Sequence, residues 1–263
     1  MLRARLITAA VALPPLILLV CCAPFWLFSA VLLSGTGLGL YEYFSLTRAQ
    51  NSLPLGFGLG WGVAVAVSML WMHAAAVGAV LSAGLFLAFV LALQDTQPAR
   101  AFSGVTNALF GVVYVGFLLP HLIWIRSGPD GVAWVFFVLL VAMVGDTAGY
   151  AIGRVWGTHK LIPHVSPGKT IEGSAGSVVG NLCAAGAAWV WLLPHRSFWE
   201  LLVLGFVTGF LAQVGDLCES AIKRALGVKD SGGFLPGHGG ILDRVDSLLF
   251  PAAFIYYYVT IWG

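Results

Sequence analysis

Residues 132–153 read VAWVFFVLLVAMVGDTAGYAIG, a run in which Asp146 is the only charged side chain. Strands usually end within about ten residues, and the strands of a membrane barrel alternate apolar and polar positions. A continuous apolar run of this length is therefore a helix, and roughly 20 such residues cross a bilayer. Comparable runs recur at about 6–22, 24–46, 55–72, 74–93, 102–125, 173–193, 198–220 and 242–262. The expected fold is all-α: a polytopic integral membrane protein with about nine transmembrane helices. It forms one membrane-embedded domain over 1–263, with N-terminal helices over about 1–130 and site-bearing helices and loops over about 131–263.

Composition agrees. Of 263 residues, 59% are hydrophobic and 9% charged, and the mean hydropathy is +0.93. A soluble domain is about 25% charged, so this chain cannot cover a water-facing surface. A net charge of +2 leaves no footprint for nucleic acid. Cys21, Cys22, Cys183 and Cys218 form no CxxC or Cys/His cluster, so they read as apolar filler rather than zinc ligands or disulfides. Arg3 and Arg5 precede the first apolar run as in a signal peptide. No small-residue cleavage site precedes Cys21, and the segment reads as a retained first helix, kinked at Pro14 and Pro15.

Lys and Arg placement sets the expected orientation. With the N-terminus in the cytoplasm, cytoplasmic ends and loops hold Arg3, Arg5, Arg48, Arg100, Arg154, Lys160, Lys169, Lys223, Arg224, Lys229 and Arg244. The opposite side holds Arg126 and Arg196. Two long polar connections, 154–172 and 221–241, then face the cytoplasm, where nucleotides are. A chain this compact is expected in a bacterial inner membrane. Gly145, Gly149, Gly153 and Gly157 recur every four residues, and the first three make a smooth stripe suited to close helix packing. Gly35, Gly37 and Gly39 superficially suggest a dinucleotide loop, but no strand precedes them.

Acidic residues fall where they are expensive. Asp146 lies near the inner end of one apolar run, Asp216 and Glu219 near the end of another, and Asp243 and Asp246 begin the last. A charge at membrane depth costs at least about 2.5–3.5 kcal/mol, which marks each as a functional candidate. Asp216, Glu219, Ser220 and Lys223 stand at i, i+3, i+4 and i+7 and share a helix face. Asp243 and Asp246 share another. Between them come Lys223-Arg224, Lys229-Asp230 and Pro236-Gly237-His238-Gly239-Gly240. Carboxylates hold divalent cations, basic groups neutralise phosphates, and glycines let backbone N–H groups approach an anion. Together they describe phosphoryl or nucleotidyl transfer. A bland alternative, interfacial charges that pair with one another and with lipid headgroups, would account for any one of them but not for the set. The other loop contributes Ser166-Pro167-Gly168-Lys169-Thr170, then Glu172-Gly173. Ser166 or Thr170 could cap the following helix or bind an anion at its N-terminus. The Walker spacing is absent.

Residues 220–246, SAIKRALGVKDSGGFLPGHGGILDRVD, resemble the C-terminal signature of the phosphatidate cytidylyltransferase (CDP-diacylglycerol synthase) family: S-x-φ-K-R, K-D, H-G-G and D-R-φ-D, with φ apolar. Asp146-Thr147 with Tyr150, Gly153 and Arg154 is similar to the family's D-T-x-x-Y-x-x-G-R segment, and 166–173 to its S-P-x-K-T-x-E-G loop. Glu42-Tyr43 resembles an acidic-aromatic pair near the end of the second helix. Ala148-Gly149 reverses the family's usual order, and Ser177 replaces a common glycine. The resemblance implies a homodimeric transferase in phospholipid biosynthesis, converting CTP and phosphatidic acid to CDP-diacylglycerol and pyrophosphate among membrane lipids. It implies Mg2+, expected as two ions, with K+ as a candidate helper. Asp216 and Asp243 are the first expected metal ligands, followed by Asp246, Glu219 and Asp146. Asp216, Asp243, Asp246, Lys223, Arg244 and His238 form the expected catalytic set. Ser166, Lys169, Thr170, Ser220, Arg224, Lys229, Asp230, Gly239 and Gly240 are the expected substrate-binding set. His238 could donate to a phosphate or be structural.

Two other classes compete. A related CTP transferase could use another lipid phosphate, and nothing in the loops excludes it. A transporter also carries intramembrane acids, but here the charges cluster at one face and no inverted repeat is visible.

Overall fold

The computed structural model describes residues 14–48, 52–232 and 239–262. After a helical stretch at 14–21, α1, come α2 (Phe25–Leu46), α3 (Leu55–Ser68), α4 (Ala74–Ala92) and α5 (Pro98–Gly111). A π-helical turn over Val112–Phe117 leads to α6 (His121–Ser127) and α7 (Gly131–Trp156). Strands β1 (Lys160–Ile162) and β2 (Ser166–Thr170) precede α8 (Ile171–Trp191), α9 (Phe198–Ala225) and α10 (Leu242–Trp262).

The tightest packing joins α7 to α8, and the glycine stripe is the reason. A Cβ on Gly149 would lie 2.9 Å from Ser177 Oγ and 3.1 Å from the Gly173 carbonyl, and one on Gly153 would lie 3.0 Å from Thr170 Oγ1. Without side chains the backbones approach closely, and Ser177 Oγ donates to the Gly145 carbonyl at 2.7 Å. Gly149→Val should overpack this seam and cost about 1–3 kcal/mol, read as a lower Tm in detergent. Gly186→Ala, on the same α8 where a Cβ meets open space, should leave Tm unchanged.

The N-terminal helices are held by the same device. Phe44 of α2 lies on Gly58 of α3, Leu40 on Gly62, and Tyr43 on Gly111 of α5. Leu40, Tyr43 and Phe44 are all buried. Tyr43 also donates to the Asn107 carbonyl at 3.2 Å. The C-terminal end of α2 is therefore pinned on two sides.

Two expectations need correction, and a third is not confirmed. The helix expected at 102–125 is broken: α5 passes through the π turn and ends before α6. Pro120 explains the break, because it lacks an N–H and its ring clashes with the preceding turn. His121 Nδ1 lies 2.9 Å from the Phe117 carbonyl and 3.2 Å from that of Leu118, satisfying groups freed there. The fold is also not purely α. The 154–172 connection contains an antiparallel hairpin that pairs Lys160 with Thr170 and Ile162 with Ser166.

The count of nine transmembrane helices is the third. Among the described residues, five helical segments are long and apolar enough to cross a membrane: Ala74–Ala92, Pro98–Ser127, Gly131–Trp156, Phe198–Ala225 and Leu242–Trp262. The Leu55–Trp71 segment is apolar but shorter. Helices α2 and α8 have the length, but Ser34, Thr36 and Glu42 in one, and Ser174, Ser177 and Asn181 in the other, dilute their apolar character. The first segment expected, 6–22, lies mostly outside the described residues.

Candidate active site

Helix α9 begins with a capping box, in which Ser197 and Glu200 satisfy each other's exposed backbone N–H groups. It runs unbroken to Ala225 and so presents Asp216, Glu219, Ser220 and Lys223 from one rigid rod. A Cβ on Gly215 would strike the Asp246 carbonyl, so α9 and α10 meet backbone to backbone there. That contact sets the Asp246 backbone against α9 one residue before Asp216, and Asp146 of α7 lines the same cavity as Asp216.

A cavity of about 650 Å³ opens between α7, the β2 strand, the start of α8 and α9. Asp146, Arg154, Ser166, Lys169, Thr170 and Asp216 line it. Lys169 Nζ lies 2.7 Å from Asp216 Oδ2, with both side chains about one-third exposed or less. The Ser220 hydroxyl donates to Asp216 Oδ1 at 3.4 Å. Thr170 Oγ1 caps α8 by accepting from Gly173 N at 3.1 Å, so its hydroxyl is already engaged in a helix cap on the cavity wall. Ser174 and Gln213 close the floor through a 2.5 Å hydrogen bond.

The hairpin that delivers Lys169 is tied at both ends. At its base Glu172 accepts from Thr158 N at 3.1 Å and Thr158 Oγ1 at 2.8 Å, and lies 2.6 Å from His159 Nδ1. At its tip the Arg224 guanidinium donates through Nε to the Val165 carbonyl at 3.2 Å.

A second cluster sits where α9 meets the start of α10. Lys223 Nζ lies 2.6 Å from Asp243 Oδ1 and also contacts the Glu219 carboxylate. Asp243 Oδ2 accepts from Gly240 N at 2.8 Å and Ser231 N at 3.2 Å. Glu219 is 1% exposed, and its Oε1 has no hydrogen-bond partner. Asp246 is buried, with Oδ1 accepting from Ser247 N at 2.7 Å.

The remaining expected residues fall further out. Lys229, Asp230, Arg224 and Arg244 are exposed, and none of them lines the cavity. Gly240 N is engaged by Asp243 rather than free for an anion, and Gly239 takes φ +76°, a conformation that favours glycine. His238 lies outside the described residues. Sequence reasoning missed Glu42 as a member of the cluster. Its carboxylate accepts from Ser231 Oγ at 3.2 Å, Ile241 N at 3.0 Å and Leu242 N at 2.9 Å. The available signal was an acidic residue inside an apolar run. Gln213, two residues before Gly215-Asp216 on α9, carried none.

Among the described residues, no three Asp, Glu, His or Cys side chains converge into a ready metal cage. The donor set nevertheless suits magnesium, which takes oxygen ligands and is commonly held by one or two carboxylates together with substrate phosphates. The buried, unpartnered Glu219 Oε1 and the placing of Asp146 and Asp216 on one cavity wall are what such an ion would relieve.

Fold and site together define a helical integral membrane protein with a charge-dense cavity at the ends of its longest helices. The sequence profile described as the Cytidylyltransferase family matches residues 3–262, and the chain belongs to that family. It is 39% identical over 166 residues to the phosphatidate cytidylyltransferase of Staphylococcus saprophyticus, covering 62% of this chain and 63% of that protein. It is 38% identical over 181 residues to that of Bacillus subtilis, covering 68% and 66%. An uncharacterized Escherichia coli protein, YnbB, is 38% identical over 168 residues, covering 62% and 56%. The chain thus matches somewhat less than two thirds of the length of these curated relatives.

Proposed function

We propose that this protein is a phosphatidate cytidylyltransferase of phospholipid biosynthesis. In the reaction, a phosphate oxygen of phosphatidic acid bonds to the α-phosphorus of CTP as the bond to the β-phosphate oxygen breaks, releasing pyrophosphate. The observation that carries the reading is the pairing of Lys169 with Asp216 in a cavity adjoining the Lys223, Glu219 and Asp243 cluster, within a chain of this family. The similarity to the two phosphatidate cytidylyltransferases supports the choice of lipid substrate.

A phosphate monoester has its second pKa near about 6, so the nucleophile is already anionic and needs no strong base. The obstacle is gathering several negative charges in one place. Lys169 and Arg154 on the cavity wall answer it, together with Lys223 of the α9–α10 cluster. Each lysine now rests on a carboxylate, so it is pre-positioned and can turn to a phosphate as that carboxylate takes another cation. Asp216 and Asp243, with Asp246, Glu219 and Asp146 beside them, would hold magnesium, expected as two ions. Bound there, magnesium neutralises phosphate charge and polarises the phosphoryl oxygens. K+ remains a candidate for the same acidic surroundings. The lipid's acyl chains lie among the apolar helix faces and CTP enters from the cytoplasm. The N-terminus and site face the cytoplasm of a bacterial inner membrane, and the working unit is a homodimer.

The alternative, transfer from CTP to another lipid phosphate, is not favoured by the similarity to the phosphatidate cytidylyltransferases. Calorimetry with CTP and magnesium on the purified protein should show binding. Competition by phosphatidic acid against other lipid phosphates then ranks the acceptors. A folded protein that binds no CTP would contradict both readings.

A further inference from the structure

We infer that Glu42 is a positioning residue for the active site, anchoring the start of α10 and thereby aiming Asp243 at Lys223; the kinetic part of this inference rests on the function proposed above. Glu42 stands on α2, far from the signature segment in sequence, yet it is only 6% exposed and takes three hydrogen bonds from the segment leading into α10. Two donors, Ile241 N and Leu242 N, are backbone groups at the start of the helix, where N–H groups have no partner within the helix and attract an anion. The third, Ser231 Oγ, comes from the other side of the loop. The same Ser231 donates its N–H to Asp243. Glu42 and Asp243 therefore grip one short segment from two directions, Glu42 at 241 and 242, Asp243 at 240.

The surrounding chain is shaped to this carboxylate. A Cβ on Gly232 would lie 2.7 Å from Glu42 Oε1, and one on Gly240 would strike both Glu42 and Ser231 Oγ. Two glycines thus bring backbone against the carboxylate. On the other side, Leu40, Tyr43 and Phe44 lock α2 into the N-terminal helices. The N-terminal helices thus hold the start of α10 through Glu42, while the Tyr114 hydroxyl separately donates to the Gly215 carbonyl of α9 at 3.3 Å. Glu42 touches neither Lys169 nor the cavity lining, so its effect should fall on turnover rather than on CTP capture.

The test uses the full-length protein in detergent with Glu42→Gln, Glu42→Asp, Ser231→Ala and Gly240→Ala. Two quantities are read: steady-state kinetics across magnesium concentrations, and backbone hydrogen exchange at 240–243 without substrate. Glu42→Gln keeps the shape but offers one acceptor where two oxygens now serve three donors. A small misplacement of reacting groups costs up to roughly 10²-fold, so kcat should fall by about that factor, with KM for CTP changed by less than about threefold and more magnesium needed for half-maximal rate. Exchange at 240–243 should quicken. Glu42→Asp, which keeps the charge, should recover part of kcat. Gly240→Ala should reproduce the loss, and Ser231→Ala should shift both readouts the same way to a smaller extent. Normal exchange at 240–243 in Glu42→Gln, or wild-type kcat and magnesium dependence per folded molecule, would overturn the inference. If Glu42→Gln does not fold, unaltered exchange and kinetics in Ser231→Ala would do so. If wild-type protein makes no CDP-lipid, the proposed function fails, while the exchange measurement still decides whether Glu42 anchors α10.

Discussion

Asp243→Ala should remove turnover while leaving a protein that inserts and folds. Asp243 is the hub of the second cluster: it receives Lys223 and the amides of Ser231 and Gly240. Its loss leaves Lys223 with Glu219, so the ammonium is not orphaned, which limits the structural damage. Removing one partner of a fully buried pair can cost about 3–5 kcal/mol, but here Lys223 keeps a second carboxylate and both partners retain some exposure. The stability loss should therefore fall well below that range. Turnover should fall by about 10³-fold or more, because the variant loses a ligand for the charge-neutralising cation and the group that orients Lys223. Asp243→Asn should hold the loop amides better yet stay equally inactive. A purified Asp243→Ala protein with near-wild-type rate would remove Asp243 from the metal site. Loss of rate in Asp243→Ala with recovery in Asp243→Asn would recast it as a structural cap.

Lys169 and Asp216 should show the second-largest effect, and with opposite signs on two readouts. In the substrate-free protein the Lys169 ammonium rests on Asp216 at 2.7 Å. If Lys169 holds phosphate during turnover, Lys169→Met should lower kcat/KM for CTP by about 10²–10³-fold. The same change frees Asp216 from its present cation, so magnesium or manganese titrated without CTP should bind at least as tightly as in wild type. Asp216→Asn should instead weaken metal binding and turnover together. Metal binding that falls in Lys169→Met would mean the pair acts only as a scaffold for the hairpin. Chemical-shift or fluorescence titration with metal alone reads this independently of activity.

The difference between what sequence revealed and what it concealed follows the distance over which each feature is determined. The Asp216, Glu219, Ser220 and Lys223 face was legible because helical periodicity is local, and α9 carries the four side chains from one rod. The Gly145–Gly149–Gly153 stripe was legible for the same reason, although its partners on α8 were not. The break before α6 had a signal in Pro120 that the apolar run around it masked. The hairpin had almost none: strands of three and five residues are too short for an alternating pattern to appear. Pairing within the site was the least accessible. That Lys223 chooses Asp243, or that Thr170 spends its hydroxyl on a cap, depends on how separate helices cross. Glu42 is the extreme case, since its three donors lie 189 to 200 positions away along the chain. Its isolation in an apolar run marked it as costly without saying what repaid the cost.

The most direct measurement supplies the purified protein in mild detergent with phosphatidic acid, CTP labelled at the α-phosphate, and magnesium, and separates lipid from aqueous products. Labelled CDP-diacylglycerol should appear together with an equal amount of pyrophosphate, vanish on chelation of the metal, and return when magnesium is restored. Label that stays entirely in the aqueous phase, from a folded protein that binds CTP, would contradict phosphatidic acid as the acceptor, and product formed at full rate in the presence of a chelator would contradict the carboxylate site as a metal centre.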